Sequence, residues 1–143
     1  MDGVNFTLLK SEDSFWRESN QMGVLNTDVA KQLGAKTLGA RFWRLKPGQA
    51  STRHRHREAA ELYLLLEGLG KIRIDGQLVE MQRMDTLLVE PAANRQIFND
   101  TDADQLWYIV GAPVELANTL DMSEEDLAWH YPDGPKAMPE ELS

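Results

Sequence analysis

The sequence predicts an all-β fold with short helices near both ends, and three observations carry that expectation. From residue 38 onward, short apolar runs are separated by glycine, proline or Asn-Asp punctuation. Asp75-Gly76 stands between two such runs, Lys71–Ile74 and Leu78–Met81, and is a strong hairpin-turn signal. Helix signals are confined to one stretch before this region and one after it. Closely spaced short strands with such turns argue for a β-sandwich or a closed β-barrel.

Taken in order, Val4–Leu9 reads as a short first strand. Residues 11–34 mix polar and apolar residues without strict alternation. Within them Thr27–Leu33, followed by Gly34, reads as a short helix with an N-cap near Asn26 or Thr27 and a glycine stop. The strand-like runs are Ala40–Leu45, Leu62–Leu66, Lys71–Ile74, Leu78–Met81, Thr86–Val89, Arg95–Phe98 and Leu106–Val110. Ser123 with an acid three residues on makes a capping-box-like start, so a helix should run from Glu124 to about Trp129 and stop before Pro132. Pro132, Gly134, Pro135 and Pro139 then suggest an extended tail.

The 143 residues suit one domain. A net charge of -8 argues against nonspecific nucleic-acid binding, which needs a basic surface. The absence of cysteine excludes disulfides, thiol catalysis and zinc–thiolate sites. No apolar run approaches the roughly 18 residues that a membrane span needs. The first residues lack the basic and apolar segments of a signal peptide, so the cytoplasm is the default expectation.

Two of the three histidines, His54 and His56, are one residue apart, and Glu61 follows. Read as a strand, the segment puts residues i and i+2 on the same side, so both imidazoles would project toward one point. Imidazole nitrogen and carboxylate oxygen are ligands of zinc, iron, manganese and nickel sites. Tyr63, two residues beyond Glu61, shares its strand face. Arg53, Arg55 and Arg57 alternate out of phase with the histidines and are expected on a solvated face. His130 is expected as a surface or packing residue.

The spacing around the histidines is more specific than the histidines alone. Gly48 is followed by five residues, His54, one residue, His56, four residues, Glu61, six residues and Gly68. This pattern resembles the first motif of the cupin superfamily at every fixed position, and the resemblance covers roughly residues 38–112. In the family's second motif Asp85, Pro91 and Asn99 fit, Met84 and Ala92 stand where the pattern has glycine, and Arg95 stands where it has a histidine. The resemblance implies a double-stranded β-helix, or jelly-roll barrel, over residues 1–143 as a single domain. Its core would span about 38–112, and a C-terminal helix and tail would span 121–143.

The resemblance further implies that His54, His56 and Glu61 converge inside the barrel as ligands of a divalent metal (Fe, Mn, Zn or Ni). It also implies a homodimer. The expected function is binding or conversion of a small polar or anionic molecule, with oxygenase, isomerase and decarboxylase chemistry all open. Arg95 and Tyr63 are the candidate pocket residues. A guanidinium cannot ligate a metal, so Arg95 would either pair with a carboxylate such as Glu61 or Glu58, or hold a substrate anion. The alternative is a metal-free, non-enzymatic ligand-binding barrel in which Arg95 pairs with Glu61 or a ligand anion.

Overall fold

The computed structural model of the chain describes residues 5–115 and 118–143. Its strands are β1 (Arg17–Glu18), β2 (Leu25–Asp28), β3 (Gly39–Leu45), β4 (Ala60–Glu67), β5 (Gly70–Ile74), β6 (Gln77–Met81), β7 (Thr86–Val89), β8 (Arg95–Phe98) and β9 (Gln105–Ala112). Two helices, α1 (Val29–Leu33) and α2 (Glu124–His130), flank them. A six-stranded sheet in the order β1-β2-β3-β9-β4-β7 faces a three-stranded sheet in the order β6-β5-β8, and every pairing is antiparallel. Isolated bridges, Ala50 to Phe98 and His54 to Arg95, lay the segment before β4 alongside β8. This is the jelly-roll arrangement. No helix among the described residues is long and apolar enough to cross a membrane.

Alternation along each strand explains the layers. Leu45, Tyr63, Leu65, Ile72, Val89, Ile97 and Trp107 point inward and form the buried core with Val24 and Met81. The Trp107 indole N–H donates to Gln105 Oε1 at 2.9 Å, so the largest buried ring leaves no donor unpaired. The six-stranded sheet presents Phe42, Tyr108, Val110, Leu62, Leu64 and Leu88 on its other face. There α1 covers part of the surface through Val29 and Ala30.

The strand runs from β3 to β9 fall where the punctuation put them, and Asp75-Gly76 joins β5 to β6. The N-terminal reading needs correction. Residues 5–9 form no strand, and Val4 lies outside the described residues. Asn26 and Thr27 belong to β2, where Asn26 pairs with Trp43 and Thr27 with Phe42. The helix cap therefore moves on to Asp28, whose Oδ1 accepts from Lys31 N at 3.0 Å, and Gly34 ends α1 in a left-handed conformation.

The C-terminal segment is not a free tail. Trp129 lies between the guanidinium groups of Arg55 and Arg57, 4.3 and 4.4 Å from its ring. Arg55 Nε donates to Trp129 O at 2.6 Å. Arg53 reaches Asp133 and Met138 O, Gln96 Nε2 donates to Ala137 O, and Arg73 pairs with Glu141. Arg57 is exposed as expected and Arg53 and Arg55 are partly covered, and all three grip the last twenty residues, because that segment supplies carbonyls, carboxylates and an indole at their height.

Core packing is tight at Gly70. A Cβ built there would lie 2.5 Å from Trp107 Cζ2 and 3.1 Å from Leu65 Cδ2. Gly70→Ala should therefore lower stability by about 1–3 kcal/mol. The measurement is the urea midpoint at constant slope, and an unmoved midpoint would mean that Trp107 has slack.

Candidate metal centre and its cavity

Three segments bring the candidate ligands together. Reciprocal backbone bonds between His54 and Arg95 (3.0 and 2.8 Å), and His56 N donating to Pro91 O at 2.8 Å, hold the histidine segment beside β8. Glu61 enters from β4 on the inward face it shares with Tyr63. His54 Nε2 lies 3.4 Å from Glu61 Oε1, and His56 Nε2 lies 3.5 Å from Glu61 Oε2. One ligand atom from each of the three residues lies within 4.8 Å of the others. Gly111, paired opposite Glu61, keeps the space above the carboxylate open, since a Cβ there would come 3.3 Å from Glu61 Cγ.

The outward ring nitrogens are already committed. His54 Nδ1 lies 3.0 Å from Thr52 O, and His56 Nδ1 lies 3.2 Å from Glu115 Oε2. Both partners only accept, so Nδ1 carries the proton in each ring. In the neutral imidazoles the two Nε2 lone pairs then face a carboxylate. Three acceptors turned toward one point repel each other unless positive charge lies among them, supplied by a metal ion whose ligands are oriented by surrounding acceptors or by a second proton on the rings. Separations near 3.5 Å also match the spacing of ligands bound at about 2.1 Å.

Arg95 takes one of the two geometries that the sequence left open. Its Nη1 donates to Glu61 Oε1 at 2.8 Å, and its Nη2 donates to Glu90 O at 2.6 Å. The side chain is 0% exposed and does not line the cavity. The guanidinium is enclosed by the barrel wall, with Nη1 on Glu61, Nη2 on the carbonyls of Glu90 and Pro91, and Nε without a partner among the described residues. Tyr63 does line the cavity, and its hydroxyl donates to Glu61 Oε1 at 2.9 Å. Burial would push the Glu61 carboxyl up, but hydrogen bonds and charge from His54 and His56, when their Nε2 atoms carry protons, outweigh it and hold it well below its usual range. Burial, and then the Glu61 charge, push the Tyr63 phenol well up, so it remains a donor.

Three neighbours were not assigned to the site from the sequence. Glu115 accepts from the backbone N–H groups of Arg57, Glu58 and Ala59 at 2.8 to 2.9 Å while it holds His56. His130, expected at the surface or in packing, is buried at the end of α2, with Nδ1 2.9 Å from Arg55 O and 3.6 Å from Glu115 Oε2. Tyr131 is buried with its ring centre 6.4 Å from that of His54. No motif announces these residues, because loop closure and α2 docking place them. The cavity beside the cluster measures about 980 Å³.

Burial would raise the Glu115 carboxyl, but the three backbone N–H donors dominate and hold it at about 2. A folded-state pKa below the unfolded 4.5 means stability that is present above pH 4.5 and lost as pH falls toward 2. Glu115→Gln should cost about 1–3 kcal/mol near neutrality. It should also flatten the loss of stability across that acid window, as followed by denaturant titrations at stepped pH. Wild-type and variant curves running parallel would contradict the assignment.

Comparison with known proteins agrees with this architecture. The profile of the cupin domain matches residues 41–111. A sugar phosphate isomerase of the cupin superfamily from Silicibacter pomeroyi superposes with a TM-score of 0.68 at 24% identity, covering 76% of each chain. A predicted oxalate decarboxylase from Thermotoga maritima gives 0.66 at 20% identity, covering 76% of this chain and 100% of that one. A cupin protein from Bacteroides fragilis gives 0.62 at 22% identity, covering 85% and 98%. No curated protein matches the sequence. With the histidine motif, the jelly-roll topology and the matched profile in agreement, the chain belongs to the cupin superfamily.

Proposed function

We propose that this chain is a metal-binding cupin that binds, and with its metal acts on, a small polar or anionic molecule. The observation that carries the reading is the convergence of His54 Nε2, His56 Nε2 and the Glu61 carboxylate while both Nδ1 atoms are engaged elsewhere. An iron, manganese, zinc or nickel ion held there would supply Lewis acidity or a dioxygen site. The chain's own residues set the terms. Arg95 and Tyr63 hold Glu61 Oε1, which also lies beside His54, and leave Oε2 toward His56. Glu115 fixes the His56 ring. The structural neighbours named for activities are a sugar phosphate isomerase and a predicted oxalate decarboxylase, and both activities concern small anions.

One observation favours a second reading. The direct Arg95–Glu61 pair already neutralises the buried carboxylate, as a metal-free ligand-binding barrel would require. Metal loading separates the two. Protein purified without an affinity tag and supplied with the four metals should hold about one ion per chain, and His54→Ala with His56→Ala should reduce this below about 0.1. Elemental analysis reads both. A wild-type value below about 0.1 would favour the metal-free barrel, and full loading of the double variant would remove these histidines from the ligand set.

Cytoplasmic residence, a single working domain and a homodimer complete the proposal. The outer face of the six-stranded sheet supports the dimer: Leu62 and Leu88 are 44% and 59% exposed on neighbouring strands, beside Leu64 and the stacked Phe42–Tyr108 pair. Leu62→Lys with Leu88→Lys should convert a dimer to a monomer in sedimentation velocity. A monomeric wild type would remove this part of the proposal.

A further inference from the structure

Arg95 is sealed in the barrel wall, so a direct guanidinium or ammonium contact to an anionic ligand has to come from another residue. Arg17, Lys31, Arg41 and Arg55 line the cavity. Arg17 and Lys31 sit on its exposed rim, and Arg55 is committed to Trp129. Arg41 differs from all three. It projects inward from β3, and its register partner Ile109 pairs in turn with Tyr63. It therefore faces the same interior as the His–Glu cluster, two strand spacings or about 10 Å across the sheet.

Arg41 is also built into place. Asn26 is 2% exposed and spends its amide hydrogens on Arg17 O and Val24 O, which leaves Oδ1 to accept from Arg41 Nη1 at 2.8 Å. Asp28 Oδ2 lies 3.0 Å from Arg41 Nη2, while Oδ1 caps α1. Two of the five guanidinium donors are fixed in this way, on a side chain still 33% exposed. Trp43, with its ring 6.0 Å from the guanidinium carbon, adds a flat apolar wall, and Gln21 adds an amide. A fork held by a buried asparagine and a half-buried aspartate, on a residue that lines the cavity, is a pre-organised receptor for a carboxylate or phosphate.

We propose that Arg41 is the anion anchor of this cavity, holding the charged head of a small hydroxylated organic anion whose other end reaches His54, His56 and Glu61. The inference rests on the small-molecule reading above and names the chemistry at the far end of the site. A purely structural role, in which the Arg41–Asp28 pair only stitches β2 to β3, makes the opposite prediction for one variant. Asp28→Asn keeps the α1 cap, since asparagine caps as well as aspartate. It also removes the carboxylate that competes for the guanidinium. An anchor would then bind anions more tightly, whereas a stitch would only weaken the fold.

The test is calorimetric titration with D-gluconate, D-glucose 6-phosphate and neutral D-glucose, on metal-loaded and on chelator-treated protein, with metal content measured on each sample. At least one charged probe should bind, and neutral glucose should bind about tenfold more weakly or worse. The gluconate and phosphate arms tell which head group fits. Arg41→Gln should weaken the charged probes about tenfold or more, Arg41→Lys should fall between, and Asp28→Asn should tighten them. If Arg41→Gln fails to fold, the other two variants carry the test. Dependence on Arg41 that persists in metal-free protein upholds the anchor even where the metal reading fails. Absence of charged-probe binding up to about 10 mM, equal binding by Arg41→Gln, or unchanged affinity in Asp28→Asn would overturn it.

Discussion

The Glu61 carboxylate is the interaction on which the rest of the site depends. It is reached from every side: by Arg95 from β8, by Tyr63 from its own strand, and by both histidines from the segment before β4. A buried carboxylate without partners is costly, and removing one member of a buried pair typically costs about 3–5 kcal/mol. The two oxygens are not equivalent here. Oε1 receives the arginine and the phenol, so its position and charge belong to the scaffold. Oε1 also lies beside His54 and Oε2 beside His56, so one side chain joins the barrel wall to the chemistry.

The second dependence is long-range. The wall around His56 is completed by Glu115, beyond β9, and by His130 and Tyr131 at the end of α2. Their places are fixed by contacts well away from the centre, chiefly the Arg55–Trp129–Arg57 stack and the contacts of residues 133–141 with Arg53, Arg73 and Gln96. The arginines that alternate with the histidines thus have an architectural task. Alternation sends the histidines inward, and the alternating guanidinium groups dock the segment that closes the site.

Much of the barrel was legible because its signals are local. Seven apolar runs with turn residues between them correspond to strands, and the Gly48-to-Gly68 spacing identified both the family and the His–Glu convergence. The Arg95–Glu61 pair was one of two geometries left open, and only coordinates could choose between them. Other parts were not legible, for physical reasons. β2 is four residues long and runs directly into α1, so its alternation is too short to read. Glu115, His130 and Arg41 carry no local pattern, and tertiary closure alone makes them neighbours of a site. The departures from the second motif also acquire a cause. Met84 adopts φ 73°, the left-handed region in which glycine is favoured, and its exposed side chain tolerates the position at some conformational cost.

Arg95 fills the corner where related barrels place an imidazole, and the exchange alters how that corner responds to acidity. An imidazole loses or gains its charge within the physiological range, whereas a guanidinium keeps its proton throughout. The wall behind Glu61 therefore presents the same charge in mildly acidic and in alkaline surroundings.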